Sequence, residues 1–419
     1  MRSADSPDGP RTARTAAGPR IAQTAAGPQA AAGSAGSGVI IAAVERVEVA
    51  VVGSGVIGSA AARSLGARGV PAVLLEQFGL GHARGSSHGA TRIFRFSYPH
   101  TDYVEMAIRA RDAWARLEDD AGEKLLVPTG GLDAGPFASE CAAALKACGV
   151  EHVWLAAGEI RLRFPGIAVR PGERMLFQPE AGVCLAGRAV AAQHRLAARD
   201  GVQVRTGARV LAIEPQNDRA VLLTSAGEIS ARVAIIAAGS WNEGLLAGAV
   251  AHVPRLTATV QQVRYFKPRD GDGARWPTLI EWQSTGPSWY AVPMAGDAPG
   301  VKVAAHVPGP AVDPRNGPFD EIDPALEQEA AEYVRRRLPG LAAEGFAAET
   351  CLYTMTADED FVVDREGTLV IGGGCSGHAF KFGPLLGEVL ADLALGQDTC
   401  IPRARFSLSR RALATAPRL

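Results

Sequence analysis

The chain has 419 residues, of which 47% are hydrophobic and 21% charged, and its formal net charge is −1. A near-zero charge with both signs interspersed gives no reason to expect nucleic acid or an anionic membrane surface as a partner. No apolar run approaches the roughly 20 residues that a membrane span needs. The length allows about two to three domain-sized units of an ordinary globular protein.

The cysteines indicate the compartment. Six of them are scattered along the chain, without a C-x-x-C pair and without a Cys/His cluster at metal-binding spacing. This pattern indicates neither a disulfide framework nor a zinc site. Scattered free thiols are typical of a reducing compartment, so we predict a cytoplasmic protein without a bound metal.

The N-terminal segment differs in composition from the rest of the chain. It is rich in Ala, Gly, Pro, Ser and Arg and has almost no large apolar side chains. Such a segment cannot bury enough surface to offset its ordering entropy, so we predict a disordered tail over residues 1–46. A secretory or twin-arginine signal is the alternative, but the apolar run at residues 38–44 is short and adjoins the first predicted strand.

Residues 47–77, VEVAVVGSGVIGSAAARSLGARGVPAVLLEQ, predict a strand, a glycine turn, a helix and a second strand. Gly53, Gly55 and Gly58 match G-x-G-x-x-G, which permits a tight turn, close approach of a pyrophosphate and close helix–strand packing. The helix N-terminus favours phosphate groups. The second strand ends in Glu76, where a carboxylate accepts hydrogen bonds from a ribose diol. We predict dinucleotide binding, with a purely structural glycine turn as the alternative.

Two later hydrophobic strands also run into glycine-rich turns, at residues 231–241 with Gly239 and at residues 367–382 with Gly374 and Gly377. A nucleotide domain assembled from three separated pieces is typical of FAD proteins of the glutathione-reductase-like type, whereas NAD enzymes usually keep a compact nucleotide domain at one end. We therefore predict an α/β and α+β fold, with an FAD-binding Rossmann domain and a discontinuous mixed-sheet substrate domain. The FAD-binding domain is predicted at 47–127, 187–254 and 345–405, and the substrate domain at 128–186 and 255–344.

Four motifs follow one another along the chain: GSSHGATRIFRFSY (85–98), GVKVAAH (300–306), TCLYTMTADEDFVVD (350–364) and GCSGHAFKFGPLLGE (374–388). In this order and spacing they resemble the monomeric sarcosine oxidase and N-methyltryptophan oxidase family, of the D-amino-acid-oxidase superfamily. The resemblance runs from about residue 47 to about residue 408. It implies FAD-dependent oxidation of a secondary (N-methyl) amino acid to an imine that hydrolyses, with O2 reduced to hydrogen peroxide.

Cys351 has two interpretations. A lone cysteine among strand-forming residues is usually inert packing, and a thiol that attacks flavin must lie near positive charge. The resemblance implies that FAD is tethered through the cysteine of the C-x-Y-T segment, which is Cys351 here. Cys375, the competing thiol in the glycine-rich turn, is interpreted as packing.

A cationic segment provides candidates for substrate binding. His88, Arg92 and Arg95 alternate with Ile and Phe, which is poor composition for a solvated basic loop, and arginine suits bidentate binding of a carboxylate. The resemblance implies that Arg95 binds the substrate carboxylate while His88 and Arg92 lie against the flavin. It also implies that Lys381 joins Arg95 and that His378 shapes the same wall, although a lysine between two phenylalanines can simply reach solvent.

Lys302 lies between two valines on a predicted strand, where an outward-facing lysine is the simplest interpretation. The resemblance implies instead a lysine near flavin N5 that accelerates reduction of O2, because a fixed cation in a low-dielectric pocket stabilises superoxide. Aromatic and imidazole side chains complete the predicted pocket, although each alone is as consistent with ordinary core: Tyr290, His306, Tyr353 and Trp282.

Two other functions stay open. The same fold could oxidise a cyclic imino acid such as pipecolate in a biosynthetic pathway, and the products would distinguish the two, because N-demethylation releases formaldehyde. A flavin-binding protein without turnover is the third possibility, and an oxygen-activating lysine argues against it. We predict a monomer whose partners are a small amino acid and O2.

Overall fold

The computed structural model of the chain describes residues 44–269 and 276–415. The strands in these ranges are β1 (Glu45–Val52), β2 (Ala72–Leu75), β3 (Thr91–Phe94), β4 (Leu126–Val127), β5 (Gly131–Ala134), β6 (Val153–Ala156), β7 (Arg174–Gln178), β8 (Gly182–Leu185), β9 (Gln203–Arg205), β10 (Val210–Pro215), β11 (Ala220–Thr224), β12 (Gly227–Ile236), β13 (Thr257–Phe266), β14 (Thr278–Glu281), β15 (Ser288–Val292), β16 (Val301–His306), β17 (Ala347–Met355), β18 (Val362–Glu366) and β19 (Leu369–Gly373). The α-helices are α1 (Val56–Ala67), α2 (Thr101–Ala121), α3 (Ala138–Ala147), α4 (Ala157–Arg163), α5 (Ala186–Arg199), α6 (Asn242–Leu246), α7 (Pro324–Arg337), α8 (Gly383–Ala394) and α9 (Arg403–Phe406).

The predicted tail lies outside the described residues up to residue 43. Its predicted end is two residues too late, because β1 already includes Glu45 and Arg46, which pair with β12. No helix in the described part of the chain is long and apolar enough to cross a membrane.

The first sheet has the strand order β10-β11-β12-β1-β2-β9, with β19 paired to β12 and β18 paired to β19. Strand β1 is parallel to both β2 and β12. Val49 and Val51 pack into one hydrophobic cluster, whereas Ala50 and Val52 pack into another on the opposite face. Both faces of β1 are therefore covered, as its continuous apolar run predicts.

Helix α1 starts directly after Gly55 and runs against the first sheet. A Cβ on Gly58 would lie 1.9 Å from Gly53 O. The turn and the first helical residues can therefore approach each other this closely only because residue 58 has no side chain. The helix also packs closely on α8, because a Cβ on Gly387 would lie 2.2 Å from the Cβ of Ala60. The predicted close packing around the glycine turn is confirmed.

The second sheet has the order β17-β13-β16-β15-β14-β5-β7-β6, and a small third sheet has the order β3-β8-β4. The two larger sheets mix parallel and antiparallel pairs, which confirms the predicted α/β and α+β fold class. Strand β17 lies in the segment 345–405 that was predicted to belong to the FAD-binding domain, but it pairs with β13 of the second sheet. The division into two domains stays a prediction.

Helix α7 covers one face of the second sheet. Asp323 caps the helix by accepting a hydrogen bond from the backbone N–H of Ala325 at 2.8 Å. On its buried side, the ring of Tyr333 stacks on Trp289 at a centroid distance of 4.5 Å, and Val301 and Val303 join the same cluster. Because side chains alternate along a strand, the residues between these positions point to the opposite face.

Candidate active site

Two cavities share part of their walls, because His88, Thr354 and Cys375 line both of them. The larger has a volume of about 610 Å³, and the predicted residues in its wall are Gly53, Gly55, Glu76, His88 and Gly239. The smaller has a volume of about 160 Å³, and the predicted residues in its wall are His88, Arg92, Arg95, Trp282, Tyr290, Lys302, His306, Cys351, Tyr353, Gly377, His378 and Lys381. Gly58 and Gly374 are predicted site residues outside both walls.

The larger cavity starts at the glycine turn between β1 and α1. Gly53 has φ of +94°, and a Cβ there would lie 2.6 Å from Ala237 O, so this close approach requires glycine. The first turn of α1 has no acidic side chain. No carboxylate of the helix itself therefore competes for the backbone N–H groups at its N-terminus. These N–H groups suit a pyrophosphate.

Glu76 lies at the end of β2 in the wall of the larger cavity. Its Oε2 accepts hydrogen bonds from the N–H and hydroxyl of Ser54, at 3.0 and 2.8 Å, and its Oε1 accepts from Phe78 N–H at 2.9 Å. Burial alone would raise the pKa of this carboxyl, but hydrogen bonds from His82, Phe78 and Ser54 lower it to about 2. Glu76 is thus a fixed carboxylate at neutral pH. Together with the glycine turn, it fits the adenosine end of a dinucleotide such as FAD.

The second sheet supplies one wall of the smaller cavity through its register. Tyr265 on β13 pairs with Lys302 on β16, and Gln261 on the same strand pairs with Cys351 on β17. Directly paired residues of an antiparallel ladder share a face, and so do residues two apart on one strand. Three strands therefore bring these predicted residues to the face opposite α7: Tyr290, Lys302, His306, Cys351 and Tyr353.

Lys302 is buried, with only 3% of its surface exposed, so the simple interpretation as an outward-facing strand lysine is wrong. Its Nζ donates a hydrogen bond to Thr91 O at 2.9 Å. Burial, with a further contribution from the Arg92 guanidinium, lowers the pKa of Lys302 to about 7 against the opposing effects of Glu349 and Cys351. The ammonium group is thus a buried cation whose charge changes near neutral pH.

His88 and Arg92 form the wall next to Lys302. The imidazole Nε2 of His88 lies 2.7 Å from Thr350 O, and its Nδ1 lies 3.1 Å from Gly85 O. Burial, and then the charge of Arg92, lower the pKa of His88, so the ring is neutral at neutral pH and donates to only one of these two carbonyl oxygens. The guanidinium of Arg92 donates to the carbonyl oxygens of Ser86 and His88 at 2.9 and 2.8 Å. These contacts hold both side chains against the cavity.

The two thiols in the cavity walls differ in their surroundings. Burial raises the pKa of Cys351, and the nearby cations Arg92 and Lys302 act in the opposite direction. Burial raises the pKa of Cys375 to about 12 without an opposing charge. Both cysteines are free. The positive charge that a reactive thiolate requires is therefore present at Cys351.

Arg95 and Lys381 are buried cations in the wall of the smaller cavity. The guanidinium carbon of Arg95 lies 4.0 Å from the ring centroid of Tyr98 and 5.4 Å from that of Trp282. Lys381 Nζ donates to Tyr98 Oη at 2.8 Å and to His378 O at 2.6 Å. Burial and the charge of Arg95 hold the pKa of Lys381 well below its usual value. An anionic ligand would relieve this unfavourable pair of charges.

A chain of hydrogen bonds orients His378. Because Glu359 O can only accept, a neutral His378 carries its proton on Nε2, and the Tyr98 hydroxyl, which accepts from Lys381, donates to His378 Nδ1 at 3.1 Å. The remaining N–H, on Nε2, then donates to Glu359 O at 3.0 Å. Burial is the largest effect that holds the pKa of His378 well below its usual value, so the ring is neutral. Its tautomer is fixed by these partners.

Sequence reasoning missed several residues of the site. Tyr98 stands inside one of the four motifs but was given no role, although its hydroxyl joins Lys381 to His378. Glu349 lines the smaller cavity two residues before Cys351 on β17. The period of two along the strand could have placed Glu349 and Cys351 on one face. Asp133 is buried behind the cavity, where it accepts from Trp282 Nε1 at 3.3 Å; no sequence signal marked it.

A dinucleotide cavity on a glycine turn, joined to a small buried cationic cavity, defines the class of flavin-dependent oxidoreductases. Residues 48–393 match the family described as FAD dependent oxidoreductase. The chain belongs to this family.

Similar proteins agree with the resemblance found in the four motifs. The chain is 34% identical over 387 residues to monomeric sarcosine oxidase from Streptomyces avermitilis, which covers 88% of this chain and 99% of the relative. It is 32% identical over 380 residues to monomeric sarcosine oxidase from a Bacillus species, covering 87% and 97%. It is 30% identical over 382 residues to N-methyl-L-tryptophan oxidase from Salmonella heidelberg, covering 87% and 99%. The predicted family relationship is confirmed.

Solved structures share the fold. NikD, described as an unusual amino acid oxidase essential for nikkomycin biosynthesis, superposes with a TM-score of 0.76 at 24% identity, covering 87% of this chain and 98% of NikD. Glycine oxidase from Geobacillus kaustophilus superposes with a TM-score of 0.74 at 21% identity, covering 88% and 100%. These similarities confirm the predicted architecture.

Proposed function

We propose that the protein oxidises a secondary (N-methyl) amino acid to an imine that hydrolyses, with O2 as electron acceptor and hydrogen peroxide as a product. The observation that carries this proposal is the buried pair Arg95 and Lys381, in a cavity that shares its wall with the dinucleotide cavity. Relatives named sarcosine oxidase and N-methyl-L-tryptophan oxidase support it. FAD, when bound, supplies the redox chemistry, taking a hydride from the carbon next to nitrogen and passing two electrons to O2.

Arg95 and Lys381 bind the substrate carboxylate. The Arg95 guanidinium lies near the rings of Tyr98 and Trp282, and its planar fork of N–H groups suits a bidentate contact with a carboxylate. Lys381 already donates to Tyr98 and to a backbone carbonyl, so its third N–H is available. Two desolvated cations beside each other favour an anion strongly, which makes a carboxylate the expected anchor of the substrate.

Neutral groups surround the place where the amine would lie. Burial lowers the pKa of His306 to about 4 and raises the pKa of Tyr290 to about 12, so both are uncharged at neutral pH. Burial also holds the pKa of Tyr353 well above its usual value. Apart from Glu349, whose carboxylate accepts from the Tyr265 hydroxyl, the titratable groups of this wall are therefore cations or neutral, and they disfavour an ammonium ion. A neutral amine with a free lone pair is the form from which a hydride can leave, and His378 and Tyr290 help shape its binding site.

FAD is held by residues of both cavities and, in this proposal, tethered through Cys351. The predicted cofactor residues are Gly53, Gly55, Gly58, Glu76, Gly239, Gly374 and Gly377. The cations Arg92 and Lys302 favour the thiolate of Cys351, which is the form that can bond to the flavin. Arg92 and neutral His88 would lie against the cofactor, and Lys302 would provide the charge that favours electron transfer to O2.

A substrate screen tests the proposal and separates its alternatives. Purified enzyme is incubated with N-methyl amino acids, with cyclic imino acids and with the matching primary amino acids, while peroxide release and O2 consumption are recorded. We expect turnover with an N-methyl amino acid and stoichiometric formaldehyde. Turnover of a cyclic imino acid without formaldehyde would favour the alternative substrate. Absence of turnover with all of them in flavin-loaded protein would contradict the proposed function.

We also propose that the protein is a monomer and that it is located in the cytoplasm. The six cysteines are free, which suits a reducing compartment, and relatives are named monomeric sarcosine oxidase. Light scattering coupled to size-exclusion chromatography measures the oligomeric state directly. A mass near 43.6 kDa is expected for the polypeptide.

A further inference from the structure

Three charged side chains in the wall of the smaller cavity surround one glycine, Gly89, which lines the larger cavity. The position that a Cβ would occupy on Gly89 lies 3.2 Å from Glu349 Oε2, 3.4 Å from Arg92 Nη1 and 4.0 Å from Lys302 Nζ. Gly89 itself has φ of +87°, a conformation that suits glycine. A carboxylate and two cations thus come together where the β3, β16 and β17 segments meet.

Glu349 is held in place by a second contact. Tyr265 is fully buried, and its hydroxyl donates to Glu349 Oε2 at 2.9 Å. Lys302 Nζ lies 5.6 Å from the centroid of the same Tyr265 ring and donates to Thr91 O. The carboxylate is therefore directed to Tyr265, and the lysine to a backbone carbonyl. This arrangement places the negative charge near the ammonium group without the direct contact that would neutralise its field.

We propose that Glu349 is a positioning residue for the oxygen reaction, whose carboxylate keeps the buried Lys302 ammonium protonated to a higher pH than burial beside Arg92 alone would allow. The role rests on the proposed function, because it acts through the lysine assigned to O2 reduction. Nothing in the four motifs marks Glu349 itself, which lies one residue before the third of them.

The charge state of Lys302 depends on groups from each neighbouring segment. Arg92 on β3 disfavours the ammonium, and the neutral His88 ring and the Tyr265 hydroxyl contribute no full charge. Burial raises the pKa of the Cys351 thiol, so that thiol is neutral at neutral pH, and a tethered sulfur would carry no charge either. Glu349 is then the carboxylate that opposes Arg92 and burial at Lys302 among the described neighbours. Without it, the lysine would lose its proton at lower pH.

Lysine NMR measures this coupling without turnover. The chain contains only five lysines, so holoenzyme labelled with [ε-13C]lysine gives few signals, and the Lys302→Met variant identifies that of Lys302. Glu349→Gln removes the charge and still accepts from the Tyr265 hydroxyl. We expect the midpoint of the Lys302 titration to fall by about one pH unit or more. Loss of a unit charge a few ångströms away has at least this effect at an effective dielectric constant of roughly 20. An unchanged midpoint would overturn the proposal.

Three matched variants separate charge from structure. Glu344→Gln removes an exposed carboxylate of the same chain and should leave the midpoint unchanged. Tyr265→Phe keeps the Glu349 charge and should move the midpoint much less than Glu349→Gln does. Glu349→Asp keeps the charge on a shorter side chain and should return the midpoint toward that of wild type. Equal shifts in Glu349→Asp and Glu349→Gln would overturn the role of the charge. If the glutamine variant fails to fold, Glu349→Met, which also removes the charge, takes its place.

A kinetic measurement then tests the link to oxygen. In Glu349→Gln holoenzyme, fast reoxidation by O2 should be lost at a lower pH than in wild type, whereas anaerobic reduction by substrate should change little. A shifted NMR midpoint with an unshifted reoxidation profile would overturn the role in the oxygen reaction. If wild type oxidises no amino acid at all, the proposed function fails, and the NMR titration still decides whether Glu349 controls the charge of Lys302.

Discussion

Tyr98 connects the two buried cations of the site: its hydroxyl accepts a hydrogen bond from Lys381 at 2.8 Å, and its ring lies 4.0 Å from the guanidinium carbon of Arg95. One side chain therefore positions both groups that we propose to bind the substrate carboxylate. Removing its hydroxyl would leave a buried ammonium with one fewer partner.

Tyr98→Phe should therefore weaken amino acid binding. A lost hydrogen bond to a buried charged group costs about 1 to 3 kcal/mol, so we expect KM for the amino acid to rise by about 5- to 150-fold. Tyr103→Phe is the matched control, because Tyr103 stacks on Tyr98 at 4.9 Å but directs its hydroxyl to Asp360. Steady-state kinetics of both variants provide the comparison. Equal effects in the two would assign Tyr98 to packing alone.

Arg95→Met should lower kcat/KM for substrates that have a carboxylate and not for substrates that lack one. Breaking a buried charge-assisted contact costs roughly 2 to 5 kcal/mol, so kcat/KM for an amino acid should fall by about 30-fold or more. An amine of the same shape without a carboxylate should change little. Arg95→Lys should recover only part of the loss, because a lysine lacks the planar fork. The same loss on both substrates would contradict carboxylate binding by Arg95.

Lys302→Met should slow reoxidation by O2 and leave the amine half-reaction nearly unchanged. A fixed cation worth roughly 3 kcal/mol in the transition state corresponds to about a hundredfold in rate. The pH dependence has a definite sign: burial lowers the pKa of Lys302 to about 7, so the ammonium is present below that pH and lost above it. Wild-type reoxidation should fall as pH rises through that region, and the fall should be absent in the variant. Stopped-flow absorbance measures both half-reactions, and unaffected reoxidation would make Lys302 a structural residue.

Cys351→Ser should release the flavin on denaturation. Wild-type protein precipitated in acid should stay yellow, and its flavin-bearing peptide should contain Cys351. Cys375→Ser is the control, since this thiol lines both cavities but has no opposing cation to favour its thiolate. Mass spectrometry of the peptides identifies the bonded sulfur. Flavin retained by the Cys351 variant through denaturation would refute the tether.

Local and motif-based features of this protein were predictable from the sequence. The strand, glycine turn and helix at residues 47–67 follow from a continuous apolar run and from glycines that no other residue can replace at those contacts. The cavity walls contain nearly every predicted site residue, because these stand in motifs that retain their spacing. Residue types and spacing thus carry information about the ends of strands and the turns after them.

Features that depend on pairing between distant strands were not predictable. Strand β17 pairs with β13, about 90 residues earlier in the chain, and only this pairing places Glu349 beside Tyr265 and Lys302. The burial of Lys302 likewise depends on Thr91 from another sheet, so the flanking valines alone suggested an outward side chain. A single sequence shows the period of a strand but not the partner that covers it.

Anaerobic flavin reduction tests the central claim most directly. Oxygen-free enzyme is mixed with an N-methyl amino acid and, separately, with the matching N-methyl amine that lacks the carboxylate, while the flavin absorbance is followed. We expect the amino acid to bleach the flavin rapidly with saturation behaviour, and the amine to do so far more slowly. Equal rates with both compounds, or no bleaching by any secondary amino acid, would contradict an amino acid oxidase whose substrate is held by Arg95 and Lys381.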